Sequence, residues 1–99
     1  MTETQTLRAV AHVPTAHASK YLQQLCKHFA HKIPATFDEA QGSLAFSLGD
    51  CRLTARGGTL ELAVSSPDAA ALAQLEDVVA RHLVRFAFRE ELAIDWQAA

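Results

Sequence analysis

The sequence predicts a two-layer α+β sandwich: two amphipathic helices cover one face of a mostly antiparallel six-stranded sheet, in the order β-α-β-β-β-β-α-β. Three observations predict it. Two long segments carry apolar residues at helical spacing, short alternating segments with glycine turns lie between them, and an alternating segment stands near each end of the chain.

Thr6 to Val13 sets Leu7, Ala9, Ala11 and Val13 against Thr6, Arg8, Val10 and His12, mostly the period-two pattern of a strand with one buried face. Pro14 and Thr15 open the first helix, with Thr15 as N-cap. It is expected to reach Lys32, before Ile33-Pro34 forces an extended exit. Its core stripe is Ala18, Leu22, Leu25 and Phe29.

From Ala35 to Ser65 the pattern is a meander with turns at Gln41-Gly42, Gly49-Asp50 and Gly57-Gly58. Gly49-Asp50 places glycine first in the loop, as a type II′ hairpin wants, and Gly57-Gly58 can supply positive φ at both positions. The inward sets are Phe37; Leu44, Phe46 and Leu48; Cys51, Leu53 and Ala55; and Leu60, Leu62 and Val64. The opposite positions are polar, so the other sheet face is expected to be wet.

Ser66-Pro67-Asp68 is a helix start, read with Ser66 as cap, Pro67 in the first turn and Asp68 well placed against the helix dipole. The second helix runs to about Phe86 or Phe88, with Leu72, Leu75, Val79, Leu83 and Phe86 as its stripe. A last strand turns Leu92, Ile94 and Trp96 inward.

Composition bounds the function. The chain has 99 residues, 49% of them hydrophobic, and a net charge of −2 with histidine neutral. That suits a single domain over residues 1–99 and lacks the basic excess of a general polyanion binder. No apolar run is long enough to span a membrane, and Met1 to Thr6 lacks signal-peptide features, so a cytoplasmic protein is expected. Cys26 and Cys51 form no CxxC, which fits a reducing compartment.

The densest reactive cluster is Cys26, His28 and His31, followed by Lys32. On a helix Cys26 and His28 point about 160° apart and cannot ligate one ion together. His28 and His31 can approach one ion, but two ligands are fewer than zinc takes. The plain account is electrostatic: Lys27, His28, His31 and Lys32 sit where a helix's last carbonyls favour positive groups. His82 falls inside the second apolar stripe and needs a partner, either a backbone carbonyl or Glu90. Arg85 and Arg89 project from the same side.

A weak echo links Lys27-His28-Phe29-Ala30-His31 to Arg81-His82-Leu83-Val84-Arg85, each near the end of a helix that follows a strand. The wet face carries Arg8, His12, Arg52 and Arg56. It lacks stacking aromatics because the phenylalanines fall on buried sets, and nucleic-acid binding is not expected. Phosphate-loop, dinucleotide, GxSxG and HExxH motifs are absent. Asp38 and Glu39, and Glu90 and Glu91, are neighbours that face opposite ways in extended chain. No active site assembles and no cofactor is indicated.

The stretch Ser19 to Pro34, with Arg81-His82-Leu83, Arg85 to Leu92 and Trp96, resembles a bacterial family known as domain of unknown function 2218. The resemblance covers nearly the whole chain. It marks Tyr21, Cys26, His28, His31, Lys32, His82, Arg85, Arg89 and Glu90 as motif residues, without roles. It also implies an accessory place in siderophore-iron metabolism, beside siderophore-interacting FAD-binding reductases.

The expected function is therefore a non-enzymatic binding module, with Tyr21, His28, Lys32, His82, Arg85, Arg89 and Glu90 as the contact residues for a partner protein or anionic ligand. Metal binding through His28 and His31, with His82 as a further candidate ligand, is one alternative, and a homodimer formed through the open sheet face or an edge strand is the other.

Overall fold

The computed structural model describes residues 6–99; residues 1–5, on which the reading of the opening segment rests, lie outside them. Its elements are β1 (Leu7–Pro14), α1 (Ala18–Phe29), β2 (Ala35–Phe37), β3 (Gln41–Ala45), β4 (Asp50–Arg56), β5 (Thr59–Ser66), α2 (Ala69–Phe86) and β6 (Gln97–Ala98). The sheet has six strands in the order β2-β3-β4-β5-β1-β6, every neighbouring pair antiparallel. Both helices lie on one face, as the alternation predicts.

The core forms between that face and the helices. Ala9, Ala11 and Val13 of β1 join Leu44, Cys51, Leu53, Leu60, Leu62 and Val64 beneath Leu22, Leu25, Leu75, Val79 and Leu83. Gly42 permits the close approach of α1. A Cβ there would stand 2.6 Å from the Cys26 sulfur.

Several boundaries differ from the sequence reading, each for a local reason. Thr15 is not the cap of α1. Its hydroxyl accepts from the His17 N–H at 3.1 Å, and the helix begins only at Ala18, with no side-chain cap on its N-terminal end. The helix also stops at Phe29, short of Lys32, because the Phe29 carbonyl takes the N–H groups of both Lys32 and Ile33 at 2.9 Å and closes a turn. Asp68, not Ser66, caps α2, accepting from the Ala71 N–H at 2.7 Å. Ser66 instead ends β5 and donates to the Leu48 carbonyl at 2.6 Å.

The β3–β4 loop is Ser47-Leu48, closed by mutual hydrogen bonds between Phe46 and Gly49, so Gly49-Asp50 is not the loop. Gly49 is required for another reason. Its φ is +154°, and a Cβ would fall 2.0 Å from the Ser65 carbonyl oxygen. At the β4–β5 turn only Gly57 has positive φ, which fits type II′.

Phe37, on the three-residue edge strand β2, remains 36% exposed rather than entering the core. Leu92, Ile94 and Trp96 do pack against the core in alternation, but the ladder to β1 holds only Gln97 and Ala98.

Candidate functional site

The helices meet in antiparallel sense. Tyr21 in α1 contacts Glu90 just beyond α2, whereas His28, near the end of α1, reaches back to Phe86 and His82. The sequence alone could not set this direction. It divides the candidate residues into two groups.

The first group centres on two facing imidazoles. The His28 and His82 ring centroids are 5.1 Å apart at 43°. Phe86 stands 5.6 Å from His28, and Phe29 stands 4.8 Å from His82, so aromatic rings flank the pair. His82 donates from Nδ1 to the Val78 carbonyl at 2.7 Å. That is the backbone partner its position calls for, and it leaves Nε2 as the nitrogen open to other partners. Glu90 is engaged elsewhere.

Burial, followed by the charges of His82, Lys32, His31 and Arg85, lowers the pKa of His28 below the ordinary imidazole value. Positive groups from the end of α1, the turn after it and the last turns of α2 thus share one place. Among the described residues none of His28, Lys32, His82 and Arg85 has a carboxylate within ion-pair distance. Arg81 is paired with Asp77 at 3.3 Å, one turn earlier on α2. An open cleft beside the pair is lined by Arg81, His82, Val84 and Arg85.

Among the described residues, no group of three or more His, Cys, Asp or Glu side chains is arranged to hold a metal ion. The surrounding cations set a potential that favours an anion over a cation. Cys26 faces Gly42 of β3, between α1 and the sheet, and is fully buried, as is Cys51. Burial pushes the Cys26 thiol up to about 11 and the Cys51 thiol up to about 12, so neither is a ready nucleophile.

The second group is a latch. Tyr21 donates its hydroxyl to the Glu90 carboxylate, and Thr15 donates to the same carboxylate at 3.1 Å. The Tyr21 phenol is pushed up to about 12, chiefly because its bond to Glu90 favours the protonated form. The Glu90 carboxyl is lowered, first by the same bond. In the sequence Thr15 stands as a helix cap; its part in this latch depends on the fold, which brings Glu90 to it.

Arg89 belongs to neither group; its guanidinium lies 5.4 Å from the ring of Phe88. Phe88 is 76% exposed and Val84 52% exposed, which corrects the expectation that the phenylalanines are buried. Phe88 lies beyond the end of α2, where helical periodicity no longer sets a side chain's direction. The open sheet face is polar as expected, with His12 Nε2 3.1 Å from Glu61 Oε1.

These features define a small α+β sandwich with an open antiparallel sheet and a cationic cluster where its two helices meet. The chain belongs to the family described as "Uncharacterized protein conserved in bacteria (DUF2218)", matched over residues 10–97. It is similar to PA4090 from Pseudomonas aeruginosa, whose NMR structure has 37% sequence identity and a TM-score of 0.78. That similarity covers 92% of this chain and 95% of PA4090. No curated protein matches the chain. No helix among the described residues is long and apolar enough to cross a membrane.

Proposed function

We propose that the protein is a non-enzymatic binding module, cytoplasmic and accessory to siderophore-iron metabolism, whose His28–His82 cluster with Lys32 and Arg85 docks an acidic surface of a siderophore-interacting flavin reductase. The carrying observation is the convergence of these cationic or protonatable groups from both helices without a carboxylate partner among the described residues. A partner that supplied the missing negative charge would relieve their mutual repulsion. Val84, exposed in the cleft beside the cluster, adds apolar contact of the kind found at interface centres. The reductase enters from the family resemblance, which implies that association.

The test is calorimetric titration of the protein with the purified reductase at low and moderate salt, repeated with a Lys32→Glu/Arg85→Glu variant. Binding that weakens with salt and is lost in the variant, with circular dichroism unchanged, supports the reading. Equal affinity for both proteins overturns it. Parallel titrations with zinc, ferrous and ferric iron measure the metal alternative at His28 and His31, since metal binding would survive loss of Lys32 and Arg85.

A further inference from the structure

The open face of the sheet carries a charge pattern that complements itself. In one row across the sheet the register sets Arg8 beside Ser65 and Ser65 beside Asp50; in the next it sets Val10 beside Ala63 and Ala63 beside Arg52. The middle strand, β5, therefore offers two small side chains, Ala63 and Ser65, with opposite charges on its two sides. Arg8 and Asp50 are both exposed and stand two strand spacings apart, about 10 Å. Within the chain they form no ion pair; the pairs among the described residues are His12 with Glu61 and Arg81 with Asp77.

We propose that this face is the contact surface of a homodimer with its two-fold axis along β5, so that Arg8 of each copy meets Asp50 of the other. Rotation about that axis carries the position of β1 onto the position of β4 while preserving the row, which superposes the two charges of opposite sign. Such a contact is isologous and closes after two copies. Ala63 and Ser65, on the axis, let the sheets approach without large side chains between them. Glu61 is the charged group of β5 on this face that would meet its own counterpart. It is drawn sideways onto His12 of β1, off the axis.

The size of the face sets the expected strength. Five strands, β3 to β6 in sheet order, give a width of about 24 Å, and the ladder length gives a similar height. Each copy would bury about 500 Å², or about 1,000 Å² in total, near the lower limit for a specific interface. A polar face of that area predicts a concentration-dependent dimer that weakens as salt rises.

Sedimentation velocity of the full chain over a concentration series tests this. The expected result is a monomer-dimer equilibrium, with the dissociation constant raised about tenfold or more by Arg8→Asp or Asp50→Arg alone. The charge-exchanged Arg8→Asp/Asp50→Arg variant should recover dimerisation. Mixing the two single variants should also give a heterodimer, because one copy then carries both acids and the other both bases. Circular dichroism checks that each variant is folded. A monomer at every concentration, whether or not Arg8 and Arg52 take up an added anion, overturns the proposal, as does a dimer indifferent to the single reversals or not restored by the exchange.

Discussion

Tyr21 and Glu90 stand 69 positions apart in the chain, yet the phenol of the first donates its proton to the carboxylate of the second, tying α1 to the turn that follows α2. Thr15, just ahead of α1, donates to the same group. Two contacts from one end of the structure thus hold the exit of α2 beside the start of α1.

Tyr21→Phe keeps the ring and removes the bond, so it should destabilise the fold by roughly 0.5 to 1.5 kcal/mol, as for a typical intramolecular hydrogen bond, since Glu90 is partly exposed. The pH dependence has a definite sign on each side. Glu90 has a lowered pKa in the folded chain, so its contribution is present above the ordinary carboxylate value and lost as pH falls through the lower folded value. Tyr21 has a raised value, from 10.0 to about 12, so its contribution is full below pH 10 and lost as pH rises towards about 12. Urea denaturation across pH should show both losses in the natural chain, and Tyr21→Phe should remove part of the alkaline one, the buried thiols of Cys26 and Cys51 supplying the rest. An unchanged alkaline limb would refute the latch.

Gly42 and Gly49 should fail differently when replaced by alanine. At Gly42 the new methyl group meets the Cys26 sulfur, a side-chain atom, and overpacking of that kind costs roughly 1 to 3 kcal/mol. Cys26→Ala in the same chain should restore part of the loss, because the two residues share one space. At Gly49 the obstruction is the Ser65 backbone and φ is positive as well, so no side-chain substitution rescues it. Thermal melts of Gly42→Ala, Gly42→Ala/Cys26→Ala and Gly49→Ala decide this; simple additivity at the first pair would contradict it.

The imidazoles can be followed by NMR. His28 should titrate below the usual histidine range, and removing the charges of Lys32 and Arg85 by Lys32→Gln/Arg85→Gln should move it upward, since like charges disfavour its protonated form. A His28 midpoint that ignores the double substitution would place those cations too far away to act.

Both thiols should resist a thiol reagent in the folded chain and react once it is unfolded, because burial holds them protonated and out of reach. Fast labelling of Cys26 at neutral pH, before unfolding, would contradict its position against Gly42.

Much of this architecture is legible in the sequence because hydrophobic period encodes which face is buried. The alternation of Leu60, Leu62 and Val64 and the stripe of Leu75, Val79 and Leu83 both fall where the period places them. Boundaries were less legible where one side chain had two local options. Thr15 reads as a cap but turns to His17 and Glu90, and Ser66 reads as a cap but bonds Leu48 across the sheet. The echo between residues 27–31 and 81–85 held more than its length suggests. Its two histidines, His28 and His82, are the residues that face each other. What no local pattern could supply was the direction of one helix against the other, which unites His28 with His82 and separates both from Tyr21.

The position of β1 also bears on how the chain acquires its shape. Among the described residues it is the earliest strand, yet it lies between β5 and β6 and pairs from Leu7↔Ser66 to Pro14↔Thr59. During synthesis it has no partner in the sheet until β5 has been made, whereas β3, β4 and β5 can zip together through short hairpins. Folding should therefore begin in the meander and finish when β1 docks along it. Closure of that long loop sets the slow step, and the chain should fold more slowly than a helical bundle of equal size.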